Sequence, residues 1–139
     1  MSLMMLDLDR VHAINDRYGV SAGDMVITAV AEILRTQMRP GDVVARLSGD
    51  EFAVLLPDTG SKDAVHIAER IRESVCNHKM SVPKAPGLAE RAVIETRTSI
   101  GVAVAPTHAD NEKSLVYTAD RALRKAKNLG RNRVELADG

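Results

Sequence analysis

The sequence predicts an α+β domain on the ferredoxin-like split βαβ order (βαββαβ), extended by a carboxyl-terminal helix and a short strand. Three observations predict it. Short apolar runs alternate with three stretches whose apolar residues recur at spacings of three and four. Two of the short runs flank an acidic tip, Ser48-Gly49-Asp50-Glu51, as in a hairpin. Turn-forming residues separate the elements, at Arg39-Pro40-Gly41, Pro57-Asp58-Thr59-Gly60, Pro106 and Gly130.

Leu3 to Leu8 is apolar almost throughout, as a central strand must be when both its faces are covered, and Asp7 sits at its carboxyl end. Ser21 and Asp24 form a capping-box-like start, with Asp in place of the usual Glu. A first helix follows from Val26, Ala29, Val30, Ile33 and Leu34, and ends at Arg39-Pro40-Gly41. Val43 to Leu47 and Phe52 to Leu56 are the hairpin strands. A second helix from Ser61 to about Val75 is marked by Ala64, Ile67, Ala68, Ile71 and Val75. From His78 to Arg91 the composition turns to Pro, Gly, Lys and Ala without a period, which predicts a long loop or an irregular approach to a strand. Val93 to Val104 resumes as strand, interrupted at Gly101. Leu115, Ala119, Ala122, Leu123 and Ala126 mark a third helix stopped by Gly130, and Arg133 to Leu136 is a last short strand. A right-handed crossover makes the first two strands parallel, with the third antiparallel between them, so Asp7 is expected to meet Asp50.

At 139 residues and 15.0 kDa the chain is expected to be one domain, residues 1–139, with one core. Apolar residues at 45% and charged residues at 27% are the balance of a soluble globular protein and exclude compositional disorder. No run is long enough for a membrane span, and Asp7 and Asp9 come too early for a secretory signal, so the expected location is the cytoplasm. The single cysteine, Cys76, allows no internal disulfide or cysteine zinc site and is expected to be a buried helix residue. Nineteen basic residues balance nineteen acidic ones and only Tyr18, Phe52 and Tyr117 are aromatic, which argues against a nucleic-acid polymer as partner. His66, His78 and His108 show no ligand spacing, and the methionines suit core gaps.

Three carboxylates, Asp7, Asp50 and Glu51, gathered at one sheet edge repel one another unless a positive charge sits among them. Magnesium or manganese fits oxygen ligands, and such ions commonly act on phosphates. The alternative is that these are solvated strand-end residues. Lys127 and Arg131 bracket the end of the third helix, where they suit either phosphates or the helix dipole.

Read together, Asp7-Leu8-Asp9, Ile14-Asn15-Asp16 with Gly19, Gly23-Asp24, Ser48-Gly49-Asp50-Glu51-Phe52, Ser99-Ile100-Gly101-Val102-Ala103, and Ala126-Lys127 with Gly130-Arg131-Asn132 stand in one order over nearly the whole chain. This set resembles the GGDEF domain of diguanylate cyclases, whose sheet is of the nucleotide cyclase or palm type. The resemblance implies an enzyme that condenses two GTP molecules into the second messenger cyclic di-GMP and releases pyrophosphate, as a homodimer in which each of two facing domains holds one GTP. It implies that Asp7, Asp50 and the carbonyl of Leu8 hold magnesium or manganese, with Asp50 and Glu51 the catalytic carboxylates and Glu51 either the base or a metal-supporting carboxylate at the ribose 3′-hydroxyl. Asn15 and Asp24 match the guanine-reading positions, and His12, Lys127 and Arg131 the phosphate-binding ones. Gly49 and Ser48 line the backbone that approaches the nucleotide. Arg39 and Asp42 match the inhibitory site for the product cyclic di-GMP.

Two departures stand out. Ser48 replaces the first glycine of the signature, which is harmless at ordinary backbone angles and strained at positive φ. Val11-His12 replaces Phe-Lys, and an imidazole is ordinarily uncharged at pH 7, so one phosphate contact worth roughly 1.5–3 kcal/mol is lost unless bound triphosphate protonates it. These departures support an alternative reading, a catalytically degenerate GGDEF module that binds GTP or cyclic di-GMP and regulates an attached domain such as a phosphodiesterase. Family members carry a further amino-terminal helix before the first strand. The chain is therefore expected to be a module excised from a larger signalling protein, with covalently attached sensory or phosphodiesterase domains and any membrane tether outside it.

Overall fold

A computed structural model describes residues 1–138, so of the expected domain only Gly139 lies outside the described residues. Their order is β1 (Ser2–Asp9), α1 (Val11–Tyr18), α2 (Val20–Gln37), β2 (Val43–Ser48), β3 (Glu51–Leu56), α3 (Ser61–Asn77), β4 (Met80–Pro83), β5 (Arg91–Ile94), β6 (Arg97–Val104), α4 (Glu112–Asn128) and β7 (Val134–Leu136). One five-stranded sheet runs β2-β3-β1-β6-β7, and β4 and β5 form a separate hairpin. β1 is antiparallel to both β3 and β6, β3 is antiparallel to β2, and β7 runs parallel to β6. The split βαβ order is therefore present, with β1 at its centre.

Alternation along β1 supplies two cores. Met4, Leu6 and Leu8 point to one face, where they pack with Val26, Val30 and Leu34 of α2 and Ile67 and Ile71 of α3. Leu3 and Met5 point to the other, against Leu115, Ala119, Ala122 and Leu123 of α4. Gly101 belongs to the α4 face and lies inside β6, so it does not interrupt the strand. A Cβ at Gly101 would stand 2.2 Å from the Leu123 nitrogen and 2.4 Å from the Ala119 oxygen. The glycine is there because the backbone of α4 occupies the space of a side chain.

Elsewhere the structure corrects the sequence reading. A short helix, α1, follows β1 directly through Arg10 in the left-handed region (φ 68°), and only Val11 and Ile14 of it are buried. Two apolar anchors are too few to set a period. α2 starts at Val20 after Gly19 (φ 97°), without a side-chain cap, so the expected Ser21–Asp24 capping box is not formed. The expected loop from His78 to Arg91 contains β4 and leads into β5, paired from Met80–Ile94 to Pro83–Arg91 and seated on the core through buried Val82 and Ile94. The expected strand Val93–Val104 is accordingly two strands in two sheets, β5 and β6. Cys76 lies on α3 as expected but is only partly buried.

Gly101→Ala is expected to cost about 2 kcal/mol or more, because backbone rather than a flexible side chain must move. Urea denaturation checks it, as a lower midpoint at unchanged slope.

Candidate active site

The odd-numbered parity that sends Leu3 and Met5 towards α4 also governs the end of the strand, so Asp7 and Asp9 emerge on the α4 side. Glu51 is the cross-strand partner of Asp7, and the Leu8 amide donates to the Asp50 carbonyl at 3.0 Å. The end of β1 and the hairpin tip therefore adjoin, as the crossover argument requires. The three carboxylates do not close into a cage, for among the described residues no three acidic, imidazole or thiol groups stand close enough to hold a metal by themselves. A cation is nevertheless present. The Lys127 ammonium, from the last turn of α4, donates to Asp7 Oδ2, while Asp7 Oδ1 is buried without a hydrogen-bond partner.

Burial pushes the Asp7 carboxyl above its ordinary range, against the opposing pull of Lys127, and the nearby charges of Asp50 and Asp9 add to the rise. Glu51 is also raised, first by burial and then by Asp7, by Asp120 of α4 and by Asp50, with Lys127 again opposing. Asp120 escaped the sequence reading; its place one residue after buried Ala119 on the helix facing the sheet was the available signal. The donor set suits a hard divalent cation: the carboxylates of Asp7 and Asp50, the Leu8 carbonyl and the unpartnered Asp7 Oδ1 are all oxygens.

Asp9 carries no role that its sequence motif suggests, and it is the most heavily bonded carboxylate at this end of the sheet. Its side chain is 4% exposed, takes the Ser99 hydroxyl at 2.9 Å and the Asn132 amide at 3.1 Å, and lies 3.6 Å from the Arg131 guanidinium. Arg131 and Asn132 both have positive φ, 64° and 46°, following Gly130 at 119°. Asp9 thus pins the left-handed turn that carries Arg131.

At the amino end of α2, the Asn15 amide rests on Gly23, where a Cβ would come within 1.7 Å of Asn15 Oδ1. That oxygen is buried and unpartnered, and Asp24 next to Gly23 is exposed. Asn15 and Asp24 are thereby brought together. His12 is exposed on the first turn of α1. An open, largely apolar groove of about 760 Å³ runs from Asp24 along α2 to Met80, and none of its lining residues belongs to the Asp7 cluster.

At the hairpin tip neither Ser48 nor Gly49 has positive φ, so the serine strains nothing, and the space beside Gly49 is open. The Arg46 guanidinium, unremarked in the sequence, ties the tip by donating to the Gly49 carbonyl at 2.9 and 3.2 Å. On the far side of β2, Arg39 donates to Asp42 Oδ2 through its amide at 2.8 Å and its guanidinium at 3.3 Å, and to the Thr59 hydroxyl at 2.6 Å. Arg39 and Asp42 therefore form one unit, anchored by a threonine that sequence spacing did not suggest.

A palm-type sheet bearing acidic residues at the end of its central strand, with basic residues on the facing helix, defines a nucleotide cyclase-like domain. Residues 1–133 match the model of the family described as diguanylate cyclase, GGDEF domain. Diguanylate cyclase TpbB of Pseudomonas aeruginosa is 40% identical over 140 residues, covering 99% of this chain and 30% of that protein. The crystal structure of the TpbB (YfiN) GGDEF domain superposes with a TM-score of 0.89 at 38% identity, covering 99% of this chain and 82% of that one. The GGDEF domain of DgcB from Caulobacter crescentus, solved in complex with c-di-GMP, gives 0.86 at 30% identity over 99% of this chain and 78% of that one. The chain belongs to the GGDEF domain family, and it spans less than a third of the length of TpbB.

A carboxyl that is worse off ionised in the fold holds its proton more tightly there than in the unfolded chain. Stability therefore falls as pH rises from the ordinary Glu51 value of 4.5 through its raised folded value. In chelator, Glu51→Gln is expected to melt higher than wild type at pH 7, by at most about 3 °C, with the gain closing near pH 4. Calorimetry at the two pH values checks it.

Proposed function

We propose that this GGDEF domain is a diguanylate cyclase that acts on GTP as a dimer, each domain holding one nucleotide. The observation that carries the reading is the union of two half-sites on one frame. Asn15, seated on Gly23 beside Asp24, offers acceptors suited to the guanine N1 and N2 donors. Asp7, Asp50 and Glu51 stand at the sheet end under the cations of α4 and the turn after it. Adenine lacks that donor pair, so the buried acceptor of Asn15 would stay unpaired with it. Magnesium or manganese, held by Asp7, Asp50 and the Leu8 carbonyl, supplies Lewis acidity at the phosphate when bound.

Glu51 takes the proton of the ribose 3′-hydroxyl, and its raised affinity for a proton suits it to that task. The freed oxygen forms a bond to the α-phosphorus of the partner's GTP as the bond to pyrophosphate breaks, and the second half-reaction repeats this in reverse sense. Arg131, its turn fastened by Asp9, and Lys127 hold phosphate oxygens, and His12 faces solvent on the first turn of α1, within the phosphate-binding set. The open backbone at Gly49 leaves room for the nucleotide. Arg39 and Asp42 bind the product and limit its accumulation, and the DgcB domain solved with c-di-GMP supports a product site in the family. No described helix is long and apolar enough to cross a membrane. The domain works in the cytoplasm, joined to further sensory or phosphodiesterase segments. His12 in place of a lysine favours a second reading, a regulatory module that binds GTP or cyclic di-GMP without turnover.

With GTP and magnesium, a domain fused to a dimeric coiled coil is expected to form cyclic di-GMP, and Glu51→Gln is expected to slow it by about 10²–10⁴-fold while still binding GTP. Binding without product from the unaltered domain would select the regulatory reading. Gly23→Ala, which displaces the Asn15 amide, is expected to weaken GTP binding about tenfold in calorimetric titration. Arg39→Ala is expected to weaken cyclic di-GMP binding by about 10–100-fold in the same measurement.

A further inference from the structure

Lys127 has two tasks that it cannot perform together. The proposed function requires its ammonium at a phosphate, yet the structure places it on Asp7 Oδ2, on the same carboxylate that is to hold the metal. Asp7 is left with one oxygen bonded to a cation and the other buried and unpartnered. The Asp7 side chain is 15% exposed and that of Lys127 is 29% exposed, so the pair is shielded enough for the contact to matter. Without a counter-charge, Asp7 would face the carboxylate of Glu51 across the register with only other acidic residues, Asp50 and Asp9, nearby.

We propose that Lys127 is the resident counter-cation of Asp7, a place-holder that gives up the carboxylate to a divalent metal and only then becomes free to meet the phosphates of GTP. This rests on the cyclase reading, because it takes its metal and its nucleotide from it. Three features fit the role. Lys127 lies in the last turn of α4, where the negative end of the helix favours an ammonium whether or not Asp7 is its partner. The lysine stem has four rotatable carbons, so its charge can move several ångströms while the helix stays packed through Ala122, Leu123 and Ala126. Arg131 is held apart from this exchange by Asp9, which leaves one phosphate contact in place while the other is released.

Competition for one carboxylate makes metal and nucleotide binding interdependent. Metal alone must displace Lys127 into water, whereas metal with GTP displaces it onto a phosphate. By linkage each ligand strengthens the other, and Lys127 carries the coupling. A lysine that merely held α4 to β1 would give no such coupling.

Manganese binding, read from the free-ion electron paramagnetic resonance signal without nucleotide, tests the proposal. Lys127→Met is expected to bind manganese about tenfold more tightly than wild type, the fold-change of about one charge-assisted contact. Lys127→Arg, which keeps the charge, is expected to stay near wild type, and adding Asp7→Asn to Lys127→Met is expected to abolish the gain. In equilibrium dialysis with GTP on both sides, which separates protein-bound manganese from the manganese–GTP chelate, GTP is expected to tighten manganese binding in wild type and to do so far less in Lys127→Met. Equal or weaker binding by a folded Lys127→Met, as judged by circular dichroism, overturns the place-holder and leaves the cyclase reading standing. Absence of manganese binding in every variant, with and without GTP, overturns both. In wild type bearing ¹³C-methylated lysines, the Lys127 resonance is expected to shift on saturation with magnesium. A resonance that does not move overturns the proposal without relying on any variant's folding.

Discussion

The alternation of side chains along β1 is the constraint on which the rest of the molecule depends. A strand paired on both edges and covered on both faces must deliver apolar groups to each face in turn, and β1 does so from Leu3 to Leu6. The same alternation continues past the apolar stretch, so the face that carried Leu3 and Met5 next presents Asp7 and Asp9. One geometric rule therefore builds the core and then aims the acidic residues. α4 must lie close enough to β6 to seal that face, which Gly101 permits, and the approach also brings the carboxyl end of α4 over the acidic residues.

Charge is then balanced by neighbours of different kinds. Asp9 is satisfied by a hydroxyl, an amide and a guanidinium, and so serves as a rigid anchor. Asp7 is satisfied on one oxygen only, and among the described residues Glu51 shares the charge of Lys127 at a distance without an ion pair. Two carboxylates of one sheet end thus have opposite characters because their hydrogen-bond partners differ. Polar groups left short of partners in a folded domain are a cost that function commonly explains.

Much of the architecture was legible in the sequence because its signals are repetitive. Ala64, Ile67, Ala68, Ile71 and Val75 state α3 several times over, and Leu3 to Leu8 states β1 by length alone. Where the signal rested on one or two residues, it failed. α1 has two buried anchors, the β4–β5 hairpin is held by Val82 and Ile94, and the Ser21–Asp24 pattern had no way to announce that Gly19 would start the helix earlier. At the site, the pairing of Asp7 with the hairpin tip followed from chain order and handedness. The partners chosen by individual side chains did not, because Lys127 meeting Asp7, Arg46 closing the tip and Thr59 holding Arg39 depend on distances between elements far apart in sequence.

The seat of Asn15 on Gly23 has a consequence for how such chains diverge. The amide's position is set by a hydrogen atom where other residues have a methyl group, at a residue that need not touch any ligand. The placement of that amide therefore depends on an empty volume as much as on the residue that carries it. A descendant that gained one carbon there would keep every acidic, basic and amide residue of its signature and still displace Asn15 Oδ1. A comparison restricted to side chains with charged or hydrogen-bonding groups would count it as intact.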